Sequence, residues 1–223
     1  MAGQNTAQLV DQQVQRWEAS RGGKPGPAAP CIAIARMPSA GGTEVGRRVA
    51  ARLDYGLFGR EIVEQIAREE GIRLSLVTGL DEHSATSIQR LVVDGFSHRA
   101  FTESDYLRDV VQIVTTLGQR GHSVIVGRGA SYILPADRAL RVLVAASGHA
   151  RADWYAARYN LDGREAAHRV ARQDEQRERF IRQDFNLSYL DPSLYDLVVN
   201  TEVLGLDLAA ELVLDAYRRR FPS

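Results

Sequence analysis

The chain contains one cysteine, one lysine, no net charge and no long apolar run, and each scarcity closes off a class of function. A single thiol, Cys31, cannot form an intramolecular disulfide, so no disulfide framework is available and a reducing compartment is expected. Sitting inside a short apolar stretch, Cys31 reads as core rather than as a nucleophile. The 28 basic residues balance 28 acidic ones, so no global field draws the chain to nucleic acid or to an anionic membrane. No apolar run approaches the ~20 residues of a membrane-spanning helix, and the N-terminus lacks the charged-then-apolar pattern of a secretion signal. A soluble, cytoplasmic protein is expected. The five histidines show no metal-ligand spacing, and with one cysteine a zinc site is not expected. The lysine count matters most. Lys24 is the sole lysine and every other basic residue is arginine, so a cation needed later in the chain must be a guanidinium, unless Lys24 folds back.

The 223 residues suit one α/β domain preceded by an extension. Leu9, Val10, Val14 and Trp17 recur at near-helical spacing, which predicts an amphipathic helix suited to docking on the domain, on a protein partner or on a second copy. Three glycines and three prolines over residues 21–30 make a linker. The extension is thus residues 1–29, and the folded domain residues 30–223.

The domain opens on strand, tight loop and helix. Residues 31–35 are a short apolar run of the kind buried on both faces of a sheet. Pro38, Ser39, Gly41 and Gly42 break it, and Val45, Val49 and Leu53 then draw one stripe along a helix. Amides at such a loop and helix start form an anion site, most often for phosphate. Against the P-loop pattern G-x-x-x-x-G-K-[ST], Gly41 takes the second glycine and Thr43 the magnesium-binding hydroxyl, while Arg36 and Gly42 replace the first glycine and the lysine. The residues alone permit a phosphate cradle or a turn that needs glycine only for its geometry.

Further strands are expected at residues 54–58, 123–126, 140–145 and 197–199. Helices are expected at residues 60–70, from Ser104 to 119, at 149–159, from a capping box at Asp162 onward, and from an Asp207 cap to 219. Residues 72–99 read only as short helices and loops. Alternation of nearly all-apolar strands with helices predicts a parallel sheet covered by helices on both faces. Ligands bind outside the carboxyl edge of such a sheet, which brings the loop at 39–43, Gly59-Arg60 and Gly127-Arg128-Gly129 to one cleft. An arginine-rich helix pair, about residues 149–190, could close over it as a lid. Guanidinium forks over a phosphate cradle suit phosphoryl transfer. The same arginines, interleaved with Asp174, Glu175 and Glu178, also fit a solvated face of internal ion pairs. Gly127-x-Gly129 half-matches a dinucleotide fingerprint, with Tyr132 in the third glycine's place.

Taken together, these motifs resemble the cytidylate kinase-like family of P-loop proteins. Ala35-Arg36-Met37-Pro38-Ser39-Ala40-Gly41-Gly42 is similar to that family's S-R-x-x-G-S-G-G loop. The Gly127-Arg128 after a strand, Arg151, the Asp174-x-x-Arg177 spacing and the segment from Tyr195 to Thr201 follow in order, so the resemblance spans about residues 31–214. It implies a nucleoside-monophosphate-kinase fold using ATP and Mg²⁺ as cofactors, with CMP or a similar nucleotide as acceptor. Arg36, Ser39, Ala40, Gly41, Gly42, Thr43 and Glu44 would bind the donor nucleotide, with Thr43 on the metal. Gly59, Arg60 and Gly127 would border the acceptor. Arg128 would bind the acceptor phosphate, and Arg151, Asp174 and Arg177 would be lid groups. Gly42 stands where true cytidylate kinases carry lysine, Gly59 where relatives carry aspartate, and Gly129 where they continue Gly-Arg-Asp. These departures, with the added N-terminal helix, define the alternative: a catalytically impaired nucleotide-binding regulatory protein of the same fold.

Overall fold

A computed structural model describes residues 29–61, 63, 66 and 105–222. The expected N-terminal helix, the Ser104 cap and the whole stretch 72–99 lie outside these residues. Strand β1 (Cys31–Arg36) leads into α1 (Gly42–Leu53), then β2 (Gly56–Phe58). After α2 (Asp105–Arg120) come β3 (Ser123–Val126), a short α3 (Ala130–Ile133) and β4 (Ala139–Ala145). Helices α4 (Gly148–Tyr159) and α5 (Gly163–Phe185) precede β5 (Leu197–Asn200) and α6 (Thr201–Arg220).

The strands form one sheet in the order β2-β3-β1-β4-β5, and every pairing is parallel. Alternating side chains of β1 feed opposite layers. Cys31 and Ala33 pack with α2, while Ile32 and Ile34 pack with α1 and α6. Both faces are therefore dry at the central strands, which is why β1 and β3 read as unbroken apolar runs, whereas Val198 of the edge strand β5 is exposed. The predicted stripe of α2, Leu107, Val110, Val111, Val114 and Leu117, is fully buried. Cys31 is buried, shares a 3.0 Å hydrogen bond with Ser123 Oγ, and burial pushes its thiol pKa up. Among the described residues no helix is long and apolar enough to cross a membrane.

Two local expectations change, and a third is covered only in part. The strand expected from Asp54 starts at Gly56, because Asp54 ends α1 in the left-handed region at φ 55°. The helix expected over residues 60–70 is described only in part, with Val63 and Ile66 fully buried. Helical structure opens before the expected Asp207 cap: Asn200, whose side chain accepts from the Glu202 amide, caps the turn that precedes a kink in α6. The chain bends at Gly205, φ 69° and ψ 171°, and Asp207 instead pairs with Arg48 at 2.5 Å. The expected Asp162 cap is present, its carboxylate accepting from the Glu165 amide at 2.9 Å.

Candidate functional site

Strand order places β1 between β3 and β4, so the loops leaving β1 and β3 flank one point of the sheet's carboxyl edge. The β1–α1 loop turns through two left-handed residues, Ser39 at φ 62° and Gly41 at φ 75°. The amides of Glu44 and Val45 bond back to the Gly41 carbonyl, whereas those of Gly42 and Thr43 have no backbone acceptor among the described residues. Donors left open at a helix start attract anions. Ala40 is buried and its carbonyl accepts from Thr201 Oγ1 at 2.8 Å, tying the loop to the start of α6.

Arg36, the last residue of β1, is pinched between two glycines. A β-carbon on Gly42 would stand 2.4 Å from Arg36 Cβ, and one on Gly127 would stand 1.9 Å from Arg36 Nη1. Gly127 also has φ +83°, a conformation that glycine adopts without strain. Among the described residues no acceptor hydrogen-bonds the Arg36 guanidinium. Burial, reinforced by Arg177, Arg128 and Arg60 and opposed by Glu61, pushes its pKa down to about 9. It stays charged at neutral pH, and an anion beside it would relieve both its burial and its like-charged neighbours.

The cleft around this cation encloses about 820 Å³, the size of a small-ligand site. It collects most of the residues expected from the sequence: Ser39, Gly41, Gly42, Thr43 and Glu44 from the loop, Gly59 and Arg60 after β2, and Arg36, Arg128 and Arg177. Gly127 lines a narrower recess beside it, again with Arg36, Arg128 and Arg177. Arg128 sits at φ 56°, its guanidinium 5.4 Å from the centre of the Phe180 ring. Arg177 reaches across from α5 to donate to the Arg36 carbonyl. Burial pushes its pKa down, against the opposing pull of Tyr189 and Asp174.

Two expected lid residues face each other. Arg151, 4 % exposed, grips Asp174 with two bonds of 2.8 and 2.9 Å and also donates to the carbonyls of Ala146 and Pro38. This one side chain ties α4, α5 and the β1–α1 loop together. Tyr189 Oη approaches the same Asp174 at 3.4 Å, and burial pushes that phenol up to about 12. The arginine-rich helix thus answers to both sequence readings. Arg169–Glu165 and Arg182–Glu178 are exposed pairs within α5, while Arg177 and the Arg151–Asp174 pair reach out of the helix.

Glu44 is engaged as well. Arg47 and Arg48 hold its carboxylate at 2.7 and 3.0 Å, and the Arg47 hydrogen bond leads in bringing its pKa down to about 2. Thr43 is exposed at the cleft, and no group of three acids, histidines or cysteines that could cage a metal occurs among the described residues. A hydroxyl at this place in a phosphate-binding loop is a ligand Mg²⁺ accepts beside nucleotide phosphates, with the remaining positions left to phosphate oxygens and water.

Several cleft residues escaped sequence reasoning. Glu61 Oε2 lies 3.7 Å from where a Gly59 β-carbon would stand, so a carboxylate two residues on adjoins the place a side chain at 59 would take. Leu206, brought in by the Gly205 bend, stands 2.4 Å from the position of a Gly41 β-carbon. Trp154, Tyr155 and Tyr159 of α4 also line the cleft. Their clustering in an otherwise Ala- and Arg-rich helix was the available signal.

Comparison with known proteins agrees with this architecture. The sequence profile described as "Cytidylate kinase-like family" matches residues 31–203. A protein of Staphylothermus marinus named cytidylate kinase is 25 % identical over 187 residues, covering 82 % of this chain and 93 % of its own. One of Methanothrix thermoacetophila with the same name is 27 % identical over 171 residues, covering 76 % and 87 %. A solved structure of an uncharacterized protein from Eubacterium ventriosum shares the fold at TM-score 0.59 and 16 % identity, covering 84 % of this chain and 98 % of that one.

Proposed function

The chain belongs to the cytidylate kinase-like family, and from that premise we propose that it moves the γ-phosphoryl group of ATP to a nucleoside monophosphate of the CMP class. The observation that carries this reading is the Arg36 guanidinium. It is a half-buried cation without a hydrogen-bonding acceptor among the described residues, in one cleft with Arg128, Arg177 and the open amides of the β1–α1 loop. The chemistry needs little else. A phosphate oxygen of the acceptor attacks the γ-phosphorus, the bond to the β–γ bridging oxygen breaks, and ADP leaves with that electron pair. Negative charge spread over the transferring oxygens calls for preorganised donors, and planar guanidinium forks meet it in place of the missing lysine.

In this scheme the Gly42 and Thr43 amides hold the donor phosphates, Arg36 and Arg177 meet the transferring group, and Arg128 holds the acceptor phosphate. Thr43 and the phosphate oxygens would hold Mg²⁺, which when bound neutralises the β- and γ-phosphate charge. Arg151 acts through Asp174 and Pro38 as a positioning residue, fixing the helix pair against the loop. Cytidylate heads the candidate acceptors because the relatives from Staphylothermus and Methanothrix bear that name. ADP release from Mg-ATP, measured across CMP, dCMP, UMP, AMP and GMP, tests the proposal. Acceptor-dependent turnover is expected with a cytidine nucleotide, falling about a hundredfold or more in Arg128→Ala. Turnover with no acceptor, or an Arg128→Ala enzyme as fast as its parent, would overturn it.

A further inference from the structure

Outside α4, the aromatic side chains of the described residues are buried or half-buried, with Phe58, Phe185, Tyr189, Tyr195 and Tyr217 fully inside. Helix α4 breaks that habit. Trp154 is 44 % exposed and Tyr159 54 % exposed, and both line the cleft together with Tyr155 and Arg158. Residues 154 and 158, and 155 and 159, are four apart, so the four share one helical face. The Arg158 guanidinium stands 5.3 Å from the Trp154 ring centre and 5.9 Å from that of Tyr159. The Tyr155 and Tyr159 rings are 4.5 Å apart, and Gln173 of α5 donates to the Tyr155 hydroxyl at 3.5 Å. The result is a layer of rings and a planar cation, braced from α5, in the same cleft as the phosphate-seeking groups.

We propose that this face of α4 is a stacking platform for a nucleobase. The inference rests on the phosphotransfer reading and extends it to the part of the nucleotide that the arginines and the loop do not address. A phosphate chain suits the cationic part of the cleft, and a ring joined to it would meet π-faces and a guanidinium plane, which attract any base without reading its edge. The platform therefore serves affinity more than base identity. The base of the donor and the base of the acceptor share this chemistry, and separate titrations with each distinguish them.

Trp154 reports on its own surroundings once the other tryptophan is replaced, so the experiment uses full-length Trp17→Phe protein. Its fluorescence should be quenched by ATP if the donor base stacks there, or by CMP if the acceptor base does, and left unchanged by inorganic tripolyphosphate. Calorimetry then compares Trp154→Ala with Trp154→Phe. The alanine variant should bind the quenching nucleotide about tenfold more weakly and the phenylalanine variant nearly as well as the parent, with tripolyphosphate affinity the same in all three. Trp154 is half-exposed on a helix and alanine is the best helix former, so folding should survive, as a melting curve will show. Unchanged affinity for both ATP and CMP in Trp154→Ala, with tripolyphosphate still bound, would overturn the platform and leave phosphotransfer standing. Failure of the parent to bind tripolyphosphate or either nucleotide would overturn both.

Discussion

Replacing Gly127 by alanine perturbs the candidate site by one methyl group, and its effects on stability and on anion binding should separate. The backbone at Gly127 has φ +83°. A residue with a β-carbon loses about 1–2 kcal/mol there. The new methyl would also stand 1.9 Å from Arg36 Nη1, 2.9 Å from Cζ and 3.3 Å from Nη2, so the whole guanidinium must swing away rather than adjust one atom. A displaced charge-assisted donor removes about 1.5–3 kcal/mol of anion binding, or roughly ten- to a hundredfold in affinity. Thermal unfolding should show a loss of only a few degrees, since one kcal/mol shifts the melting point of a chain this size by about 2–4 °C. Calorimetric titration with tripolyphosphate should show the larger loss. The double variant with Arg36→Met decides the cause. If Gly127→Ala acts on binding through Arg36, it should add almost nothing to the affinity loss of Arg36→Met. Additive losses, or a Gly127→Ala protein that binds tripolyphosphate within twofold of its parent, would refute the reasoning.

Two further outcomes follow from the ion pairs. Arg151→Met removes a buried cation with four hydrogen bonds to Asp174, Ala146 and Pro38, and breaking such a pair should cost about 3–5 kcal/mol, read by urea denaturation. Burial alone would raise the Asp196 carboxyl, but Arg141 and Arg220, each at 2.8 Å, bring it down to about 2. A carboxyl with a depressed folded-state pKa stabilises the fold above the ordinary carboxylate range and loses that contribution as pH falls toward 2. The melting temperature of Asp196→Asn should therefore fall less than that of the parent between about pH 4 and pH 2.

The departures from a P-loop take on physical meaning in three dimensions. Gly42 stands at the lysine's place in the pattern, and the close approach of Arg36 Cβ shows that glycine is also what the β1–α1 junction accommodates. Glu61 sets a carboxylate oxygen in contact distance of the side-chain position that Gly59 leaves empty. Neither relation is visible in a linear pattern, because each joins residues through space rather than through a fixed spacing.

Local chemistry settled the elements. Apolar runs such as residues 123–126 became strands dry on both faces, the four-residue recurrence of Val45 and Val49 became the buried stripe of α1, and Asp162 capped α5. These features depend on neighbours within a few residues, so periodicity and capping chemistry suffice to read them. Pattern order also placed the loop at 39–43, Gly59-Arg60 and Arg128 at one edge, since in a parallel sheet every strand's end faces the same way. Which arginines face the open cleft and which face a carboxylate was another matter. Arg36 and Arg151 look alike in sequence, yet one lines the cleft half-buried without a hydrogen-bonding acceptor among the described residues and the other is buried and held by Asp174 from another helix. The bend at Gly205 that carries Leu206 to the loop, and the turn of α4 that shows Trp154 to the cleft, were equally hidden. A side chain's partners lie many residues away along the chain, and only packing decides which of them it meets.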